Sequence, residues 1–440
     1  MTKFKKWVII LVICTGGLCA TCASSMAGFT EAGISDEFHV GKEVAILGIS
    51  LYVLGLGVGP LLVGPLSEVY GRRIVYLVSY TLFCAFSFAV AFAPNIAVYA
   101  IFRFLTGFSS STFLSVAGGT VSDLFDDEQV ATPLAVYTVA PFIGPATGPL
   151  ISGFINQNAN WRWTYRVLII WTFVELVLIF VLVPETFVPV ILRRKAQRLR
   201  KETTDQRYWA SSERRKVTMI RAIVLSCYVP FVLMAKEYMA LLLSLWAALI
   251  LGIQYLTFQA FPIIFEEGHG FSVQSTGLSF IGMGLGFVIG LLCQPLVNRY
   301  VQIANPPPEI RLVIGMWGAV LIPISLFWLA FTTYPHVHWV VPIIASIPFG
   351  TGTLFCFSCI FTYLVTAYRP IAASAMSANT FVRTASAAAF PLFADQMYRR
   401  LGTVGATALL AGLTTLAAPI PFVFYRIGAR LRARSQFAHK

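Results

Sequence analysis

Charge is what this chain has least of. Only 12% of its 440 residues are Asp, Glu, Lys or Arg, and mean hydropathy reaches +0.76. That is far more apolar surface than a soluble core of this length can hide, so a soluble globular protein is excluded and lipid has to cover much of the chain. Histidine is scarce too: the five, His39, His269, His336, His338 and His439, all fall outside the long apolar runs. A polytopic membrane enzyme, such as an acyl or prenyl transferase, needs a catalytic cluster, yet the runs hold no His-x-x-x-x-Asp and no paired Asp-rich segment. The eight cysteines give no disulfide framework, because nearly all sit in apolar runs as small hydrophobic residues. Cys356 and Cys359 form a CxxC, which in mid-helix reads as small-residue packing, and no metal site or cofactor is indicated. A non-transporting nutrient receptor would carry a long signalling tail, and none is expected at either end.

What the chain does have is length of hydrophobic run. A bilayer core of about 30 Å asks for roughly 20 mostly apolar residues per helical span. Twelve such runs are read, at 7–29, 44–63, 74–93, 97–118, 133–155 and 164–183, then 239–265, 276–296, 312–331, 339–367, 371–393 and 403–424. They are too long and too evenly apolar for barrel strands, which alternate lipid and lumen faces. The expected fold is therefore an all-α integral membrane protein of twelve transmembrane helices. The first run starts basic like a signal peptide, but no small-residue cleavage site follows, and it is read as retained.

The net charge of +13 is topological, not a nucleic-acid footprint. With both termini on one side, 25 of the 32 Lys and Arg fall on that side. The other side holds Lys42, Arg162, Arg166, Arg399 and Arg400, while Arg103 and Arg383 lie within spans. This positive-inside bias predicts cytoplasmic N- and C-termini.

A basic, Ser- and Glu-containing gap divides the runs six and six, giving an N-terminal half 1–183, a linker 184–238 and a C-terminal half 239–440. Within the gap, 193–201 reads as a basic helix at the membrane surface, and 217–234 as an apolar segment along the interface or leading into span seven. Gly64-Pro-Leu-Ser-Glu-Val-Tyr70 after span two is echoed by Gln294-Pro-Leu-Val-Asn-Arg-Tyr300 after span eight. Parallel repeats of this kind build many secondary transporters, whose substrate site lies between the halves near the midplane.

The segment after span two reads as a loop, Gly64-Pro65-Leu66-Ser67-Glu68-Val69-Tyr70-Gly71-Arg72-Arg73. Its glycines permit a sharp turn, Glu68 can face a helix N-terminus, and Arg72 and Arg73 can pair with a carboxylate such as Asp123. The segment resembles the G-x-L-[SA]-[DE]-x-x-G-R-[RK] signature of the major facilitator superfamily. Arg103-Phe-Leu-Thr-Gly107 is similar to that family's R-x-x-x-G motif. Gly144-Pro145-Ala-Thr-Gly148-Pro149, with Gly153 beyond, is similar to the G-P-x-x-G motif of its antiporters. Trp161-Arg-Trp163, Pro184-Glu185-Thr186, Ala260-Phe-Pro262, Leu326-Phe-Trp328 and Pro391-Leu-Phe393 resemble the fungal branch of twelve-span drug:proton antiporters. Arg166 and Gln129 depart from the pattern, in which an aromatic and an arginine are usual.

The resemblance implies export of a small organic compound, a drug or secondary metabolite, by proton antiport with alternating access. The expected partners are the substrate, protons and the lipid bilayer, with no nucleic acid, in a monomer. The expected site is the plasma membrane, with the vacuolar membrane as the alternative. A proton-independent facilitator and a polyamine or organic-acid transporter stay open.

Arg103 is the sharpest residue, since a cation within a span costs at least about 2.5 to 3.5 kcal/mol on insertion scales. It is either a structural arginine bonded to helix carbonyls or a proton-coupling or gating cation, and the resemblance favours the second. Glu175, midway along span six, is either a proton-loading carboxylate or a glutamate facing a polar interhelical cavity. The span-five glycines and prolines should let helices five and eight approach and favour a kink. Substrate contacts are expected among Tyr52, Gln254, Gln259, Tyr363, Asn379 and Arg383, each of which could instead be interhelical packing. Gln259 stands where polyamine-exporting relatives are expected to carry a glutamate, and with Arg383 it tilts the substrate towards a neutral or anionic compound.

Overall fold

The computed structural model describes residues 1–125, 131–203, 207–210, 213, 219–301, 308–368 and 371–435. Its long helices are α1 (Lys3–Ser25), α2 (Lys42–Tyr70), α3 (Arg72–Ala91), α4 (Ile96–Ser110), α5 (Ala131–Asn158), α6 (Arg162–Leu182), α7 (Tyr238–Phe261), α8 (Ile281–Val301), α9 (Leu312–Thr332), α10 (Val340–Ala367), α11 (Ala372–Ala417) and α12 (Pro419–Arg434). No strand occurs among the described residues. The helices are apolar around most of their circumference, as lipid requires, and a side chain caps the start of α1 and of α4. The Asn95 side chain accepts the Val98 amide at 2.9 Å to start α4.

Among the described residues, eleven stretches are long and apolar enough to cross a membrane. The last, Ser374–Ala433, is 60 residues long, about three times the roughly 20 residues that one crossing needs. It bends at Gly402, whose φ of 73° and ψ of 167° no helix contains. The arm of α11 before Gly402 is therefore the eleventh pass, and the arm after it, continuing into α12, is the twelfth. The fourth pass also breaks, continuing from α4 through Ala117–Leu124.

Side chains gather in two cores. One is built wholly from α1–α6 and the segments between them, around Tyr52, Tyr80, Phe113 and Tyr165. The other is built from residues of α7–α12, and it also takes in Ala27, Phe29, Ile49, Val53, Phe142 and Ala146. Those six come from the ends and faces of α1, α2 and α5, so these helices carry the contact between the two groups. In the linker region, Val188–Thr203 and Met219–Lys236 are helical. The Arg193 guanidinium donates to the Val69 carbonyl at 3.2 Å, laying the first of them against the end of α2.

The CxxC resolves as packing. The Cys359 and Cys356 sulfurs lie over Gly315 and Gly318, where α9 meets α10. Gln129 and Arg369 lie outside the described residues, as do the side chains of Pro295–Tyr300 in the second copy of the repeated segment.

Candidate functional site

The turn between the second and third passes corrects the sequence reading. The signature expected as a loop is mostly helix: α2 runs to Tyr70 and α3 begins at Arg72, leaving Gly71 alone to turn. Gly71 sits at φ +99°, where a side chain is strained, and a Cβ there would collide with the Glu185 carboxylate. That carboxylate accepts the Arg72 amide at 2.8 Å. The Arg72 side chain pairs with Asp123 at 3.3 Å, donates to Ser67 at 2.6 Å and stacks 4.7 Å over the Phe187 ring. Arg73 instead donates to the Phe180 carbonyl at 3.0 Å. Glu68 is exposed, with no helix N-terminus as its partner among the described residues, and Gly64 has open space around it.

Arg103 is fully buried. Its Nε donates to the Gly48 carbonyl at 2.7 Å and its Nη2 to the Ala23 carbonyl at 3.1 Å, so it ties α4 to α2 and α1. The guanidinium lies 4.4 Å from the Tyr52 ring centre and 5.5 Å from that of Tyr165. Its Nη1 is buried without a partner. Glu175 is buried on α6, and its carboxylate accepts the Thr15 hydroxyl of α1 at 3.2 Å. It lies within the first group of helices, apart from the contact with the second.

The span-five glycines behave differently from the expectation that they bring helices five and eight together. Gly144 and Gly148 face α1: a Cβ on either would collide with the Thr21 or Ser25 hydroxyl. Ser25 also donates to the Gly144 carbonyl at 3.3 Å. Only Gly153 meets the eighth pass, whose first helix is Val273–Ser279, with a Cβ falling 3.0 Å from the Val273 carbonyl. Pro145 and Pro149 lie inside α5, which remains one helix.

The six substrate candidates scatter. The Tyr52 hydroxyl is held by the Ala20 carbonyl at 2.7 Å and Ser110 at 2.8 Å within the first core. Tyr363 bonds the Met239 sulfur at 3.4 Å, near the end of the bundle that carries the termini. Gln259 donates to the Glu31 carboxylate at the opposite end. Three remain on α7 and α11: Gln254, Asn379 and Arg383. Both amide atoms of Gln254 and the Asn379 Oδ1 are buried without partners, while the Asn379 amide donates to Ser244 at 3.2 Å. The Arg383 guanidinium lies 5.6 Å and 5.1 Å from the Phe357 and Phe361 ring centres of α10. Phe357 in turn touches Phe142 of α5 at 5.2 Å between ring centres, so this aromatic patch spans the two groups of helices.

Among the described residues, polar contacts between the groups cluster at mid-depth and at the end away from the termini. Ser24 and Tyr255 hydroxyls meet at 2.8 Å. Beyond them come Glu31 with Gln259, the Val273 amide on Gln157 at 3.1 Å, Lys42 with Asp395 at 3.1 Å, and Gln396 with Glu43 at 2.6 Å. A Cβ on Gly277 would sit 2.6 Å from the Pro149 carbonyl at the same end. The far end is thus closed by many small contacts around a backbone-to-backbone approach.

A family model described as Major Facilitator Superfamily matches residues 13–391. The chain belongs to this superfamily. An efflux pump, atB, of Aspergillus terreus is 47% identical over 87% of this chain and 83% of its own. A probable drug/proton antiporter, YHK8, of Saccharomyces cerevisiae is 42% identical over the whole of this chain and 87% of its own. A solved structure of the xylose transporter XylE from E. coli superposes with a TM-score of 0.68 at 16% identity, covering 95% of this chain and 99% of that one. That likeness concerns the fold alone. As a major facilitator, the chain is a multi-pass membrane transporter and not an enzyme, with a small molecule as its substrate.

Sequence reasoning about this major facilitator missed the far-end closure. Glu31, Lys42, Glu43, Asp395 and Gln396 read as ordinary residues at span ends, and the pairing of Lys42 with Asp395 and of Glu43 with Gln396 joins positions some 350 residues apart. The one available signal was Glu31 itself, an acid directly following an apolar run. Arg166, a departure from the family pattern, stacks on aromatic rings all the same, 5.0 Å from Trp163 and 5.6 Å from Phe92.

Proposed function

We propose that this chain exports a small organic compound by alternating access, with halves 1–183 and 239–440 rocking about a cleft between α7, α10 and α11 on one side and α1, α2 and α5 on the other. The observation that carries the reading is the one-sided closure: among the described residues the polar ties between the halves lie at mid-depth and at the end away from the termini. The positive-inside bias supports cytoplasmic termini, and with them the structure is an inward-facing form that loads from the cytoplasm. The names of the relatives, an efflux pump and a drug/proton antiporter, support outward movement. The plasma membrane is the membrane this direction suits.

Proton antiport is the coupling we favour, with Glu175 as the carboxylate that loads and releases the proton. Its single hydroxyl partner, Thr15, leaves it free to change protonation without breaking an ion pair. Arg103, which meets α1 eight residues further along at Ala23, is the cation that holds α1, α2 and α4 in register, with its free Nη1 as the coupling donor. Gly71, Arg72 and Asp123 form the turn that transmits rocking from α2 to α3. Gly144 and Gly148 keep α1 and α5 moving as a unit.

The test is purified protein in proteoliposomes under an imposed pH gradient, following labelled candidate compounds. Gradient-driven movement that is lost in Glu175→Gln is the expected result. Movement indifferent to the gradient removes antiport, and unchanged coupling in Arg103→Ala and Glu175→Gln removes these assignments.

A further inference from the structure

Among the described residues, Arg383 is a cation without a counter-ion. It stands eleven residues into α11, about 16 Å along the helix and close to mid-membrane. Among the described residues no carboxylate reaches it, and its Nε is buried without a hydrogen-bond partner. Of the chain's 19 acidic residues, only Glu175 lies in the middle of a span, and it is engaged with Thr15 inside the first half. The phenols that face Arg383, Tyr137 and Tyr255, have their hydroxyls committed to the Phe113 carbonyl and to Ser24. What surrounds the guanidinium is aromatic: Phe357 and Phe361 flank it.

The residue as a whole is half-buried, and a cation at this depth in a membrane is retained when something pairs with it. Here the protein supplies no anion, so the ligand must. We infer that the transported compound is a small planar organic acid, whose carboxylate is held by the Arg383 fork and whose ring lies against Phe357 and Phe361. Arginine suits this, because its planar fork matches a carboxylate at two points and stacks on rings, which a lysine cannot do. The inference rests on the export reading for its cleft, and names the substrate class of that site. It also has an energetic consequence: an anion leaving a negative-inside cell moves down the membrane potential, so export is electrogenic even before proton exchange.

The experiment separates binding from transport. Purified protein is titrated with benzoate, salicylate, phenylacetate and indole-3-acetate, each against its uncharged amide, and thermal stabilisation is read as ligand binding. The expected result is that at least one acid binds tenfold or more tighter than its amide, as a charge-assisted pair provides, and that Arg383→Gln abolishes the difference. Arg383→Lys should keep a weaker preference for the acid. Without ligand, Arg383→Gln should melt no lower than the parent, since it removes a half-buried charge that no acidic side chain among the described residues pairs; a large fall would mark Arg383 as structural and overturn the inference. Acids and amides bound equally, or not at all, would overturn it as well. Transport of the same pairs in proteoliposomes is scored separately: Arg383-dependent acid binding without movement would sink the export reading while leaving the site intact.

Discussion

At the scale of single residues, the buried polar side chains divide by what satisfies them. Arg103 finds two carbonyls and two aromatic rings, so its removal is a loss of packing as well as of charge. Arg103→Ala should destabilise the protein by about 3 to 6 kcal/mol, at roughly 1.5 to 3 kcal/mol for each of the two lost charge-assisted bonds, read as a fall in melting temperature. Arg103→Lys should recover only part, because an ammonium cannot span both carbonyls. Glu31, just past the end of the first pass, is held by Gln259 and faces Lys42 and Asp395. Burial pushes its carboxyl up from the ordinary 4.5 to about 8, against the opposing pull of Lys42 and Gln259. When the far end opens, Glu31 is rehydrated and its ordinary value returns. The closed form therefore binds the proton more tightly: closure is unopposed below about pH 4.5, becomes harder as pH rises through this window, and levels off above about 8. Spin labels at His39 and Arg400, both exposed at that end, should report growing separation from pH 5 to pH 8 (roughly the interval between the two values) in the parent and none in Glu31→Gln. A separation that changes equally in both would assign the pH response elsewhere.

At the scale of elements, one short motif serves two joints, and substitutions should tell them apart. Gly144 packs on Thr21 of α1 inside one half, whereas Gly277 lets its backbone approach the Pro149 carbonyl across the halves. Gly144→Val should overpack the first core and lower stability by about 1 to 3 kcal/mol. Gly277→Val should leave melting nearly unchanged but hold the far end apart, seen as faster labelling of a cysteine placed at Gln157. Equal loss of stability in both would mean that the halves do not separate here. Existence and order of the helices were legible in the sequence, because a run of some 20 apolar residues has one physical solution in lipid. The end of α2 was not: Gly64 and Pro65 look like loop chemistry, yet a helix inside a bundle tolerates both, and only Gly71 has the backbone angle of a turn. Which neighbour Gly144 faces was hidden for a similar reason, since small residues announce a close approach but not its partner. Arg383 was legible as a cation in a span; its lack of a counter-ion among the described residues required the packing of α5, α7 and α10 around it.

At the scale of the whole molecule, the balance between the two ends sets how readily substrate is loaded. The Lys42–Asp395 pair is partly solvent-exposed, with side-chain accessibilities of 42% and 19%, so by itself it contributes at most about 1 kcal/mol. The Gln396–Glu43 bond is exposed as well and of similar worth. Closure is then a sum of small terms, and removing them should shift the population in steps, not abolish it. If the inward-facing form has fraction f, affinity measured from the terminus side is weakened by the factor 1/f. Starting from a form nearly fully closed at the far end, losing one contact should change apparent affinity little, because f stays near one. Losing both, in Lys42→Ala with Gln396→Ala, should bring the two forms towards parity and raise the apparent dissociation constant about twofold or more, with intrinsic contacts in the cleft untouched. The effect is therefore more than additive on a logarithmic scale, and it should appear together with increased labelling at Gln157. A strictly additive pair, or weakened affinity without increased labelling, would mean that these residues act on the cleft itself and that the far end is not a gate.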